Sequence, residues 1–216
     1  AQLNGYRIRA SKPRDLSETI IATGLVPDPL LRMGIRSLLK TRLKDESKAF
    51  DMASFCDFIN QSSTIAISTD ESKEQHYEVP TSFYKTVLGP RLKYSSGYWP
   101  SETDDLETSE RRILDLYCER AKISDGQSIL DLGCGWGSLS LYLAEKYPNS
   151  QVTGLSHSRT QRQYILDTAK QKKLRNLRII TEDINTAEIP DRYDRILSIE
   201  MFEHMRNYNA LFRKVS

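Results

Sequence analysis

The sequence contains no long apolar run and only three cysteines. A membrane-spanning helix needs about 20 consecutive apolar residues, and no stretch of this chain approaches that length. The first residues also lack the basic start and apolar core of a secretion signal. The cysteines, Cys56, Cys118 and Cys134, are scattered without metal-ligand spacing, and their odd number favours free thiols in a reducing compartment. We therefore expect a cytoplasmic location, no disulfide framework and no metal site.

A strong excess of charge of one sign is also missing. The chain has 31 basic and 29 acidic side chains among 216 residues, which leaves a formal net charge of +2. No overall field therefore favours nucleic acid or an acidic substrate, and we expect no nucleic acid partner. The hydrophobic residues, 38% of the chain, are enough to form a substantial core, so the protein is expected to be globular.

The N-terminal part of the chain is expected to be helical. Apolar and basic residues over 30–43 have the spacing of a basic amphipathic helix, and a second helix is predicted over 49–59. The first helix can pack its apolar side into a core, which is the commoner case, or contact a membrane surface or a lipid substrate. We favour core packing and leave peripheral membrane contact open. A boundary near residue 75 then separates an N-terminal helical extension, 1–75, from a second domain, 76–216.

Strands and helices alternate in that second domain. A helix is predicted at 108–122, where a Thr or Ser side chain is expected to cap its first turn. Strands at 128–132, 151–155, 177–181 and 193–199 follow, with helices at 137–146 and 159–172. This order predicts a doubly wound, Rossmann-like α/β fold with a parallel sheet, whose ligands bind at the carboxyl ends of the strands. Only four strands precede Ser216, so we expect the sheet to be C-terminally incomplete.

The first strand of this sheet ends at a glycine-rich turn that follows an acidic residue. Gly133, Gly135 and Gly137 form the pattern G-x-G-x-G, which begins two positions after Asp131. Glycines let the backbone approach a ligand closely, and the carboxylate would repel a pyrophosphate but attract an ammonium group. The turn therefore favours a zwitterionic, phosphate-free cofactor over a dinucleotide. A tight turn without a ligand is the alternative.

Polar residues suited to a nucleoside follow the second and third strands. Ser156 and Gln161 stand where the usual acidic partner of a ribose is missing, whereas Ser158 could equally be just the N-cap of the following helix. After the third strand, the carboxylate of Asp183 can accept a hydrogen bond from an adenine amino group, and Ile184 can cover the ring. A solvated loop would have a similar composition.

The fourth strand ends in the densest cluster of ionisable side chains. Glu200, Glu203 and His204 fall together at the ligand-binding edge, where charges are costly to bury without a purpose. Glu203 and His204 can act as base and hydrogen-bond partner, because histidine exchanges protons near neutral pH. Glu200 can face a cationic centre. These three residues form the predicted catalytic group.

Five blocks of the sequence, in order, resemble one family. They are residues 76–84, 92–99, 130–137, 154–161 and 198–205, which read HYEVPTSFY, LKYSSGYW, LDLGCGWG, GLSHSRTQ and SIEMFEHM. From about Gly24 to its last residue, the chain resembles the coclaurine N-methyltransferase-like proteins of the wider cyclopropane fatty acid synthase superfamily. The resemblance implies S-adenosylmethionine (SAM) as the cofactor and the sheet of a class I SAM-dependent methyltransferase.

The resemblance also implies roles for single residues. Eight of them would hold the cofactor: its methionine part by Tyr94, Ser95, Gly133 and Gly135, its ribose by Ser156 and Gln161, and its adenine by Asp183 and Ile184. Glu203 and His204 would serve amine methylation, with Glu200 nearby. The cyclopropane enzymes use the Glu-His pair around a bicarbonate ion and commonly have a cysteine at the position of Ser96. We therefore favour the N-methyltransferase branch.

The expected function is methyl transfer from SAM to the nitrogen of a small amine. Two alternatives stay open. Methyl transfer to an unsaturated phospholipid acyl chain would suit the basic helix over 30–43. A non-catalytic SAM-binding or scaffold protein would suit a chain in which the sheet is incomplete.

Overall fold

A computed structural model describes residues 2–3, 6–7, 26–47, 51–66, 81–102, 104–189 and 192–216. The chain divides into two compact units, Ala1–Cys56 and Asp57–Ser216. The domain boundary predicted near residue 75 lies outside the described residues, so the division into 1–75 and 76–216 stays a prediction.

The first unit contains a strand pair and a long helix. Strands β1 (Gln2–Leu3) and β2 (Tyr6–Arg7) pair in antiparallel fashion. Helix α1 (Asp28–Glu46) follows, with a proline in its first turn, where a missing N–H group is tolerated. Helix α2 (Met52–Asn60) begins in this unit and ends in the second one.

Among the described residues no side chain of α1 is buried, and the interpretation of α1 as a core-packing helix stays a prediction. Leu38 and Leu43, for example, are 73% and 70% exposed. Arg42 follows Leu38 by four residues and so lies on the same side of the helix, which interrupts the apolar stripe. Arg42 pairs instead with Glu46 at 3.0 Å. Among the residues with a described structure, no helix is both long and apolar enough to cross a membrane.

The second unit contains the predicted α/β domain. Its elements are α3 (Thr81–Val87), α4 (Leu106–Arg120), β3 (Ser128–Leu132), α5 (Ser138–Lys146), β4 (Gln151–Ser156), α6 (Arg159–Gln171), β5 (Leu177–Thr181), β6 (Arg195–Leu197), a 3-10 helix (Phe202–His204) and α7 (Tyr208–Val215). The four strands β3 to β6 are parallel and lie in the order β5-β4-β3-β6. The predicted doubly wound, parallel fold is confirmed.

The register of the sheet brings the strand ends to one edge. Asp131 in β3 lies opposite Gly154 in β4 and Leu197 in β6, and Ser156 lies opposite Thr181 in β5. Because the strands are parallel, the loops that leave their carboxyl ends emerge side by side. The predicted site residues after four different strands are therefore neighbours.

Successive residues of β3 pack into two different apolar clusters. Ile129 packs with Leu114 of α4 and Leu143 of α5. Leu130 packs in the second cluster, with Leu211 of α7 and Ala66. Since neighbouring side chains of a strand point to opposite faces, the sheet is buried on both faces, as its near-continuous apolar strands require.

Two predicted boundaries need correction. Helix α4 begins at Leu106, and its N-cap is Asp105, whose side chain accepts a hydrogen bond from the backbone of Thr108 at 2.7 Å. The expected Thr or Ser cap is therefore wrong, although all three residue types provide the acceptor oxygen. The last strand is shorter than predicted at both ends, since β6 covers only Arg195–Leu197, and after it the Ser198 hydroxyl donates to the carbonyl of Leu132 at 3.0 Å.

Candidate functional site

The glycine turn between β3 and α5 is fixed to the neighbouring strand. The backbone N–H groups of Gly133 and Cys134 both donate to the carbonyl of Leu155, at 3.0 and 2.9 Å. Gly135 has a φ of +53°, and a Cβ atom added there would meet no atom within 4 Å. This left-handed backbone favours glycine, and the open space beside it leaves room for a ligand.

Two adjoining cavities lie at the carboxyl edge of the sheet. Both are lined by Gly133, Gly135, Gln161, Glu200 and His204. The first cavity is also lined by four predicted site residues, Tyr94, Ser95, Asp131 and Glu203. The second is also lined by the remaining three, Ser156, Asp183 and Ile184. The structure therefore brings every predicted site residue to this pair of cavities, and the role of each stays a prediction.

Asp131 is the buried carboxylate of the first cavity, with an exposed fraction of 2%. Its Oδ2 accepts a hydrogen bond from the Ser140 hydroxyl at 2.6 Å. Burial nevertheless dominates and raises the pKa of Asp131 to about 6, against the opposing effect of the Ser140 hydrogen bonds. A cationic group of a ligand would stabilise the ionised form of this side chain.

The predicted ribose partners are joined to each other. The Ser156 hydroxyl donates to Oε1 of Gln161 at 2.7 Å, and both side chains are buried. Ser158 is the N-cap of α6, because its hydroxyl accepts from the backbone of Gln161 at 3.3 Å.

Three buried polar atoms on the wall of the first cavity have no hydrogen-bond partner among the described residues. They are Nε1 of Trp136, Oγ of Ser138 and Nε2 of Gln161. Because buried donors in folded proteins are nearly always paired, these atoms fit a ligand that offers oxygen acceptors. The ribose and carboxylate of SAM provide such oxygens, so the residues present fit this cofactor.

Two hydrogen bonds fix a residue from outside the sheet, Ala66, beside the predicted adenine-binding residues. Asn185 bonds both backbone groups of Ala66: its Oδ1 accepts from the N–H at 3.0 Å, and its Nδ2 donates to the C=O at 3.1 Å. Ala66 thereby becomes part of the wall of the second cavity, beside Asp183 and Ile184. Asp183 in turn accepts from the backbone of Asn185 at 2.7 Å.

The predicted catalytic group lies in the loop after β6. Glu203 and His204 belong to the short 3-10 helix, and both side chains are exposed at the first cavity. Glu200 has a φ of +52°, which is unusual for a residue with a side chain, and its Oε1 accepts from the backbone of Ser96 at 3.4 Å. Such backbone strain is often found at functional sites. No cluster of potential metal ligands occurs in the part of the chain that the structure describes, and the metal-free site stays a prediction.

Comparison with known families identifies the protein's relatives. A family model described as mycolic acid cyclopropane synthetase matches residues 66–216. The chain belongs to this family. The matched region of this cyclopropane synthetase family member includes every residue that lines the two cavities.

Individual relatives are similar over most of this chain. The chain is 41% identical over 197 residues to the (S)-coclaurine N-methyltransferase of Thalictrum flavum subsp. glaucum, which covers 89% of this chain and 55% of the relative. It is similar to a crystal structure of coclaurine N-methyltransferase bound to N-methylheliamine and S-adenosylhomocysteine (SAH), with a TM-score of 0.85 and 39% identity over 91% of this chain and 58% of that one. A mycolic acid cyclopropane synthase complexed with SAH has a TM-score of 0.59 and 29% identity, over 65% of this chain and 49% of that one. The predicted resemblance is confirmed, and the chain spans about half the length of these relatives.

The structure of this family member also reveals cavity residues that sequence reasoning missed. Lys93 and Tyr117 line the first cavity, as do Trp136 and Ser138, and Ala66 lines the second. Trp136 lies within the glycine turn and Ser138 directly follows it, so their position in the sequence was a usable signal. Lys93 precedes the predicted pair Tyr94 and Ser95, but nothing in the sequence indicates that a lysine is buried there. Ala66 carries no chemical signal at all.

Proposed function

We propose that this protein transfers the methyl group of SAM to the nitrogen of a small amine. The main observation in support is a set of three buried polar atoms without hydrogen-bond partners on the wall of the first cavity, which belong to Trp136, Ser138 and Gln161. A buried donor without a partner costs about 1–3 kcal/mol, and SAM would satisfy such donors with its carboxylate and ribose oxygens. The open space at Gly135 supports the same ligand.

The comparisons support the same class of reaction. The relatives described as coclaurine N-methyltransferases are named for methyl transfer to nitrogen. The one with a crystal structure binds SAH, the product that remains after SAM loses its methyl group. The cavities would then hold the amino-acid part of SAM near Tyr94, Ser95 and Asp131, and its adenosine near Asp183 and Ile184.

The proposed step is an in-line displacement. When bound, SAM supplies a methyl group that its positive sulfur already activates. The amine lone pair forms the new C–N bond while the C–S bond breaks and its electron pair stays on sulfur. His204 accepts the proton that the nitrogen loses, Glu203 orients the imidazole, and Glu200 stabilises the positive charge near the reacting atoms. Positioning two reactants in this way contributes about 7–11 kcal/mol to the lowering of the barrier.

A transfer assay tests the acceptor directly. SAM with a labelled methyl group is incubated with the protein and either a panel of secondary amines, which carry the proton that His204 would accept, or vesicles of unsaturated phospholipid. We expect label on amine nitrogen and none in lipid, and His204→Gln is expected to reduce transfer at neutral pH. Label in the lipid fraction would instead assign the protein to acyl-chain methylation. SAM binding without transfer to either acceptor would favour a non-catalytic SAM-binding or scaffold role.

The proposed location is the cytoplasm. All three cysteines are free, and Cys56 is exposed. Exposed thiols are maintained more readily in a reducing compartment, which supports the location inferred from the sequence.

A further inference from the structure

Lys93 is a buried cation in the wall of the first cavity. Its exposed fraction is only 5%, although lysine is rarely buried. Its backbone N–H donates to Oε1 of Glu110 at 3.4 Å, and Oε2 of the same carboxylate accepts from the backbone of Arg91 at 3.1 Å. Glu110 is itself buried. The backbone that carries the Lys93 side chain is therefore fixed from within the protein.

The ammonium group of Lys93 contacts neutral partners. Its Nζ donates to the Ser95 hydroxyl and, at 3.4 Å, to the Tyr117 hydroxyl, and it lies 5.2 Å from the centre of the Tyr117 ring. Lys93 takes part in none of the ion pairs formed between described residues. Burial lowers the pKa of Lys93, and the more distant charges of Glu200 and Glu110 oppose this effect. An ammonium group has three donors, so one stays available for an anion in the cavity.

We infer that the Lys93 ammonium group binds the α-carboxylate of the amino-acid part of SAM or SAH, an assignment that rests on the function proposed above. The same cavity contains the buried carboxylate of Asp131. A zwitterionic amino acid carries one ammonium and one carboxylate, and the two buried side chains of opposite charge match them. The pair Asp131 and Lys93 makes the site selective for ligands with an intact amino-acid end.

Ser95 and Tyr117 are the other members of this subsite. Both of their hydroxyl groups contact Nζ of Lys93 and so hold the ammonium group against the cavity wall. Glu200 is a poor alternative partner, because its side chain is exposed and one of its oxygens already accepts from the backbone of Ser96. A ligand carboxylate would also be shielded from water by the cavity, where a charge-assisted hydrogen bond is stronger.

Binding of three ligands by calorimetry tests this assignment. SAH carries both charges, its decarboxylated analogue S-adenosyl-3-thiopropylamine keeps the ammonium group alone, and 5′-methylthioadenosine has neither. The wild-type chain is expected to bind SAH about tenfold or more tightly than the decarboxylated analogue. Lys93→Met removes the charge and keeps much of the length of the side chain, and it is expected to abolish this preference. Affinity for 5′-methylthioadenosine is expected to stay within about twofold.

Two further variants make the result specific. Lys93→Arg keeps the cation and is expected to retain part of the preference for SAH. Lys85→Met is the matched control, because Lys85 also lies 5.2 Å from a tyrosine ring, that of Tyr164, but is exposed and lines neither cavity. This variant is expected to bind all three ligands like the wild type. Thermal unfolding of each variant measures whether it is folded.

The outcomes separate this assignment from the proposed function. If folded Lys93→Met still prefers SAH as strongly as the wild type, the carboxylate is bound elsewhere and the assignment is overturned. An equal loss of affinity for all three ligands also overturns it, because Lys93 would then act on the cavity as a whole. If the folded wild-type chain binds none of the three, the proposed function fails, and the role of Lys93 fails with it.

Discussion

The hydroxyl of Ser140 donates a hydrogen bond to Oδ2 of Asp131 over 2.6 Å, and both residues are buried. This bond connects β3 to the first turns of α5 across the glycine turn. It does not offset the loss of water around the carboxylate, since burial raises the pKa of Asp131 from 3.8 to about 6. Asp131 therefore makes two properties of the protein depend on pH.

The first property is the free energy of unfolding. A carboxylate with a raised pKa contributes most to stability below pH 3.8, where it is protonated in both states, and this contribution is lost as pH rises through about 6. The difference between the two pKa values corresponds to about 3 kcal/mol. Asp131→Asn is expected to be more stable than the wild type at pH 8 by up to this amount, and much less so at pH 4. Urea unfolding at both pH values measures the difference, and equal differences would contradict it.

The second property is the affinity for SAH. Within the proposed site, ionised Asp131 pairs with the ligand ammonium, whereas a protonated side chain must first lose its proton. The dissociation constant is expected to be constant between pH 7 and 8, where the ligand amine is still protonated, and to rise by up to about tenfold per pH unit below pH 6. Asp131→Asn is expected to bind weakly at every pH. Calorimetry in two buffers with different ionisation enthalpies detects the released proton, and a flat wild-type profile would refute the pairing.

Gly135 is expected to be required for cofactor binding rather than for folding. Gly135→Arg fills the open space at the cavities and should abolish SAH binding. Gly126→Arg is a matched control, because Gly126 also has a positive φ and no atom within 4 Å of an added Cβ, but it lines neither cavity. Both variants should lose about 1–2 kcal/mol of stability. SAH binding that survives in Gly135→Arg, or disappears in Gly126→Arg, would contradict this prediction.

Glu200 is expected to lower the free energy of unfolding through its left-handed backbone, and to stabilise the positive sulfur of bound SAM. Glu200→Gly relieves the left-handed backbone and should stabilise the protein by about 1 kcal/mol, after allowance for the greater freedom of glycine in the unfolded chain. It should also weaken binding of the cationic SAM more than binding of SAH, which has no positive sulfur. Lys173→Gly is the matched control, since Lys173 is exposed at a φ of +57°. It should give the same stabilisation with an unchanged ratio of the two affinities.

Asn185 is expected to support the nucleoside end of the site. Asn185→Ala removes two hydrogen bonds that hold Ala66 at the second cavity, leaves its bridge to Met205, and should weaken binding of 5′-methylthioadenosine. Asn176→Ala is the comparison, because the Asn176 side chain also bonds backbone groups, the carbonyls of Ala144, Tyr147 and Ser150, but lines neither cavity. Each variant should lose about 1–3 kcal/mol of stability. Calorimetry with 5′-methylthioadenosine separates them, and equal affinities would show that Ala66 has no part in binding.

Patterns over a few residues were sufficient to predict most of the sheet. The strands at 128–132 and 177–181 were predicted with the observed bounds, because apolar, β-branched runs between turn residues are a local signal. The last strand was predicted too long. Its pairing with β3 covers only residues 195–197, and the next residue, Ser198, bonds to Leu132, 66 positions earlier in the chain, which no local pattern contains.

The sequence by itself determined the order of the elements, the glycine turn and the residue types at each strand end. These features depend on side-chain periodicity and on the backbone freedom of glycine, which act between near neighbours. Only the tertiary structure decided that Lys93 is buried beside Tyr117, and that Ala66 lines the second cavity while it pairs with Asn185, 119 positions later in the chain. Burial and pairing between distant residues depend on how the elements pack, because the free energy of a buried charge or donor is set by whatever surrounds it in space.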